Sequence, residues 1–91
     1  MQEITKIFKA LGDPTRFKII EKILFDKKKN CCTDFAIFTE KDISTISRQL
    51  MVLKQANIIE ITKINKTKCV RLKNEKSLEK LIKIANDLKE N

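Results

Sequence analysis

Residues 42–54, DISTISRQLMVLK, carry two patterns at once. Ile46, Leu50 and Leu53 recur at i, i+4 and i+7, an apolar stripe of helical period. Asp42 stands where a carboxylate accepts hydrogen bonds from the first free backbone amides and starts the helix. The remaining surface is Ser44, Thr45, Ser47, Arg48, Gln49 and Lys54: short hydroxyls, one amide and cations, with no acid after Asp42. Such a face can hydrogen-bond base edges and phosphates when its helix lies in a DNA major groove. An ordinary amphipathic surface helix carries the same stripe, so this stretch alone leaves both readings open.

The flanks decide between them. Upstream, CCTDFAIFTEKD (31–42) reads as a short helix over 32–39 with Phe35, Phe38 and Ala36 buried, then a turn at Thr39–Lys41. Helix, tight turn, helix over 32–56 is a helix-turn-helix, in which the first helix packs across and positions the second. The turn holds no glycine, and Glu40 occupies the place where one is often found. Downstream of Asn57 the period changes from helical to alternating. IIEITKI (58–64) and KCVRLK (68–73) read as two strands joined by a turn around Asn65–Thr67, with Val70 and Leu72 on one face and Cys69, Arg71 and Lys73 on the other. A basic hairpin over 58–73, directly after such a helix, is a wing. Lys63, Lys66 and Lys68 at its tip can reach phosphates or a minor groove. Lysines placed there only for solubility are the plainer alternative.

Toward the N-terminus, Ile4, Ile7, Phe8 and Leu11 form a stripe on a first helix over 2–11. Gly12 follows as a left-handed helix end. Asp13-Pro14 then restarts a helix, Asp13 as cap and Pro14 at the first position, where no amide hydrogen is needed. Phe17, Ile20, Ile23 and Leu24 line its inner face as far as Phe25 or Asp26, and Lys27–Asn30 is a polar connection. The last helix, over 75–89, shows Leu78, Leu81, Ile82, Ala85 and Leu88 at nearly heptad spacing, which asks for a partner helix. The expected dimer interface is therefore Ile4, Ile7, Phe8, Leu78, Leu81, Ile82, Ala85 and Leu88. A two-fold dimer sets two recognition helices one DNA turn apart, roughly 34 Å, and implies an inverted-repeat site.

Composition agrees with one small, mostly α domain over 1–91 bearing a single β-hairpin. The net charge of +8 is unevenly spread: residues 41–73 hold eight Lys/Arg against two acids, residues 1–40 eight against six, and residues 74–91 four of each. Excess positive charge concentrated on the helix and wing suggests a polyanion, and double-stranded DNA is the expected partner. There is no histidine and only one glycine. The usual general base and a phosphate-cradling glycine loop are both lacking, so the chain is not read as an enzyme. No apolar run approaches the roughly 18 residues of a membrane span, and MQEITKIFKA lacks a signal-peptide core, which points to the cytoplasm.

The residues also resemble a known family. FKALGDPTRFKIIEKIL (8–24) is similar to the opening signature of ArsR/SmtB winged-helix repressors. STISRQLMVLKQANII (44–59) is similar to their recognition helix and its exit into the wing, and CVRL (69–72) to the end of their second wing strand. The resemblance implies a winged helix-turn-helix fold, helix–helix–helix–helix–strand–strand–helix, in a homodimeric repressor that leaves its operator when an effector binds. It carries DNA contacts onto Ser44, Thr45, Ser47, Arg48 and Gln49. Gln49 stands where the family has histidine, and an amide can pair with adenine. Ile43 departs from the family's polar residue; facing the core is preferred to touching a thymine methyl. The rival function is a winged-helix module that binds protein in the transcription machinery and has no operator of its own.

For sensing, the resemblance places Cys31 at the first position of a Cys-x-Cys metal pair, with Thr33 at the second and Cys32 displaced beside it. Three readings of Cys31 and Cys32 stand open. A soft metal or arsenite needs a third thiol; Cys69 is the only candidate, and strand alternation turns it from the core face. A redox switch would use a thiolate whose pKa is lowered by the helix N-terminus and Lys27–Lys29. The third reading, preferred over each of the others, is a small hydrophobe with no chemical role, so no cofactor is expected.

Overall fold

The computed structural model describes residues 4–26 and 30–89. The element order is α1 (Ile4–Leu11), α2 (Pro14–Phe25), α3 (Cys32–Thr39), α4 (Ile43–Gln55), β1 (Ile59–Ile64), β2 (Thr67–Leu72) and α5 (Glu75–Lys89). This is the winged helix-turn-helix arrangement expected from the sequence. The part of the first helix before Ile4, and the triple lysine, lie outside the described residues.

Local chemistry sets most boundaries. The Asp13 carboxylate accepts from the Arg16 amide at 3.1 Å and Pro14 opens α2. Asp42 does the same for α4, accepting from the Thr45 amide at 2.9 Å. α3 ends because Glu40 turns left-handed, with φ 59° and ψ 32°. A side chain normally resists that conformation, which is why glycine is common at such a place. Asn57, at φ 60°, ends α4 the same way and redirects the chain into β1. Gly12 corrects the sequence reading, since it has no positive φ. Its role is space: a Cβ there would meet the Phe8 carbonyl oxygen at 3.1 Å.

The core gathers one face from each element. Ile19, Ile20, Phe35, Ile46, Leu50, Leu53 and Ile59 are fully buried. The stripe that defines α4 is thus spent inward, leaving its polar face outside. β1 and β2 pair antiparallel with Ile59 opposite Leu72 and Ile61 opposite Val70, and this face of the hairpin closes the core. The hairpin turn is Asn65-Lys66 alone, with φ 51° and 68°. Two successive left-handed residues make the type I′ turn that matches the twist of a β-ribbon. Thr67, placed in the turn by sequence, is the first residue of β2.

Several expected core positions differ. Phe38 is 53 % exposed, because a helix as short as α3 buries only one stripe, and Phe35 and Thr39, one turn apart, occupy it. Ile43 is likewise 53 % exposed, at the outer edge of the first turn of α4. In α5, Leu78 and Ile82 are each 7 % exposed in the protomer's own core, so the stripe read as a dimer seam is partly used inside the chain. Ile7, Leu81 and Ala85 are half-buried. Ile4, Phe8 and Leu88 remain outside, with Ile84 added, as the apolar surface of α1 and α5.

Candidate nucleic-acid interface

α4 exposes Ser44, Arg48 and Lys54 to solvent and leaves Thr45, Ser47 and Gln49 half-buried. Met51 is also exposed, one turn after Ser47 and Arg48 on the same outer face. Sequence reading passed over it because a methionine inside an amphipathic helix is taken for core. The Asp42 carboxylate accepts from the start of the helix and stays close enough to Arg48 to feel its charge. The Thr45 hydroxyl and then its amide hold the Asp42 carboxyl below the usual carboxylate range.

Gln49 is not free. The Arg16 guanidinium donates to Gln49 Oε1 at 2.6 Å and to the Ala10 carbonyl oxygen at 2.6 Å, with a longer 3.4 Å contact to the Lys9 carbonyl. One arginine on α2 therefore satisfies the Ala10 carbonyl near the end of α1 and bonds an amide on α4. No spacing rule in the sequence pairs residues 16 and 49.

At the wing, Lys63 sits directly opposite Lys68, and Lys66 is in the turn. All three are exposed, and neither Lys63 nor Lys68 has an acidic partner among the described residues. Like charges facing each other across a strand pair repel. An approaching polyanion relieves that repulsion. The other face of the hairpin is balanced, with Arg71 3.8 Å from Glu60.

The cysteines are arranged differently from the sequence reading. Cys69 does point away from the core face, but Cys31 comes to it there. Residues 30–31 run along the free edge of β2 and form an isolated antiparallel bridge, Cys31 with Cys69. The two sulfurs lie 3.2 Å apart. The expected lowering of thiol pKa is overturned. Its contact with Cys69 first, then burial, pushes the Cys31 thiol up to about 11, and the Asp34 carboxylate adds to this. Asp34 is held close because it accepts from the Cys31 amide at 2.9 Å. Burial also raises Cys32, with Lys68 opposing. Cys32 packs against the core. Among the described residues no three His, Cys, Asp or Glu side chains are grouped to hold a metal ion.

No family model matches the chain. It is 37% identical over 62 residues to the uncharacterized HTH-type transcriptional regulator MJ1325 of Methanocaldococcus jannaschii, covering 68% of each chain. The chain belongs to the HTH-type transcriptional regulators. Among solved structures it is similar to the homodimeric winged helix-turn-helix domain of Mb0332 from Mycobacterium bovis, a possible ArsR-family regulator. The TM-score is 0.80 at 21% identity, over 92% of this chain and 78% of that one. It is also similar to the antimony-specific transcriptional repressor AntR, at TM-score 0.73 and 20% identity, over 97% of this chain and 81% of that one. The fold of this regulator is thus the winged helix-turn-helix of these structures. None of the described helices is long and apolar enough to cross a membrane.

Proposed function

We infer that this regulator is a cytoplasmic, homodimeric repressor that binds an inverted-repeat operator. One observation carries the reading: α4 holds no acid from Ile43 to Gln55 while exposing Ser44, Arg48 and Lys54, and the wing that follows it exposes Lys63, Lys66 and Lys68. Ser44, Thr45, Ser47, Arg48 and Gln49 would read base edges, with Ile43 and Met51 available to thymine methyls. Lys54, Lys63, Lys66 and Lys68 would take phosphates. Ile4, Phe8 and Leu88, with Ile84, supply the apolar surface that a second copy would cover. Release of the operator through the thiols at the start of α3 would complete the cycle.

Fluorescence anisotropy on the duplex upstream of its own gene tests this, with reduced and oxidised protein. Binding should weaken steeply with salt, by about 0.9 log units per phosphate contact for each log unit of salt. Arg48→Ala should lose about 1–3 kcal/mol of affinity with little loss of stability, since the side chain is exposed. Absence of duplex binding at low salt would favour the protein-interaction reading instead. Tight binding that ignores oxidation would remove the thiols from the mechanism.

A further inference from the structure

We propose that Cys31 and Cys69 are a dithiol–disulfide pair that exchanges with small disulfides and fastens the wing covalently to the start of α3. The backbone carries the first argument. The Val70 amide donates to the Asn30 carbonyl at 2.8 Å, which makes Cys31 and Cys69 the non-hydrogen-bonded pair of their bridge. Residues so paired have Cα atoms about 4.5 Å apart and side chains leaning together. A disulfide spans about 4.4–6.8 Å between Cα atoms, so this register accepts one without moving a strand.

The side chains carry the second argument, since the sulfurs already face each other at 3.2 Å. Access is the third. An open cleft of about 680 Å3 is lined by Ile23, Asn30, Cys31, Thr62, Cys69 and Arg71. Cys32 does not line this cleft and packs toward the core. Adjacency in sequence therefore favours the wrong pair.

The chemistry balances with a small disulfide, RSSR, as oxidant. One protein thiol loses its proton to solvent and its sulfur attacks RSSR, forming a mixed disulfide and expelling one thiolate. The second protein thiol, deprotonated in turn, attacks the protein sulfur of that mixed disulfide and expels the other. Two thiols become one disulfide, and RSSR takes up two electrons and two protons to become two RSH. The second step is fast because the two sulfurs are held together rather than meeting by diffusion.

The test is to treat the intact protein with excess oxidised glutathione at mildly alkaline pH and measure whole-protein mass and a non-reducing peptide map. The proposal expects a monomer lighter by two hydrogens, a Cys31–Cys69 linked peptide and Cys32 still alkylatable. Cys32→Ser should give the same product. Cys69→Ser should stop at a glutathione adduct on Cys31. The oxidised wild type should melt higher by on the order of 10 °C, returning on reduction, because the bond restrains the unfolded chain between the two residues. A Cys31–Cys32 linkage, cross-linked dimers, or glutathione on Cys32 with Cys31 and Cys69 left free would overturn it. None of these readouts involves DNA.

Discussion

Arg16 joins three helices, and its removal has a size that can be worked out. Arg16→Met keeps the apolar stem and deletes the guanidinium. Two hydrogen bonds of 2.6 Å are lost, one to the Ala10 carbonyl and one to Gln49 Oε1. A hydrogen bond to a charged group contributes about 1.5–3 kcal/mol, and the half-buried setting argues for the lower end. The loss is then about 3 kcal/mol, out of a total stability of about 5–15 kcal/mol. For a domain of this size, each kcal/mol lowers Tm by about 4–8 °C. Gln49→Met removes only the second bond and should cost about 1.5 kcal/mol. If the bond is energetically real, the double variant should cost about 1.5 kcal/mol less than the sum of the singles. The assay is urea unfolding of all four proteins at one fixed concentration, so that self-association does not enter the comparison. Independent sites add within about 0.5 kcal/mol. A coupling no larger than that would mean that Arg16 does not hold Gln49 and that the α2–α4 link is only packing.

Four further outcomes follow from the same structure. Replacing Lys63 and Lys68 together with alanine should flatten the salt dependence of DNA binding by about 1.8 log units per log unit, two phosphate contacts' worth; an unchanged slope in an anisotropy titration would take the wing off the DNA. Glu40→Gly should raise the urea midpoint, gaining about 0.5–1 kcal/mol by relieving the left-handed side chain at the end of α3. The Cys31 thiol, held near 11, should alkylate about tenfold faster per pH unit between pH 7 and 9, because its thiolate fraction rises by that factor below the pKa. Cys69→Ala removes the largest cause of the raised value and should speed Cys31 alkylation at neutral pH by about an order of magnitude; no change on peptide mapping would place the cause elsewhere.

Periodicity and end signals made the element order legible before any coordinates. Asp13-Pro14 and Asp42 start helices through bonds between residues three apart, and such bonds need no tertiary context. The inward stripe Ile46, Leu50 and Leu53 left the polar face of α4 nowhere to go but out. Where the structure departs from that reading, each departure has its own physical reason. Phe38 and Ile43 have the right chemistry for a core, but each lies off the inward stripe of its helix, where Phe35 and Ile46 are fully buried. Leu78 and Ile82 look like an unpartnered seam only until the core that covers them is seen. Gly12 stands at a helix end for close approach and not for a left-handed backbone, two uses of a missing Cβ that a one-letter pattern does not distinguish.

The sequence alone determined the helix-turn-helix, the wing and the basic face, since each is written in spacings of a few residues and in the local excess of lysine and arginine. Only the tertiary structure decided what those parts touch. The Arg16–Gln49 bond spans 33 residues and the Cys31–Cys69 contact spans 38. A one-dimensional pattern encodes which face a side chain is on. It does not encode which distant segment arrives to meet that face, because that follows from how the whole core closes.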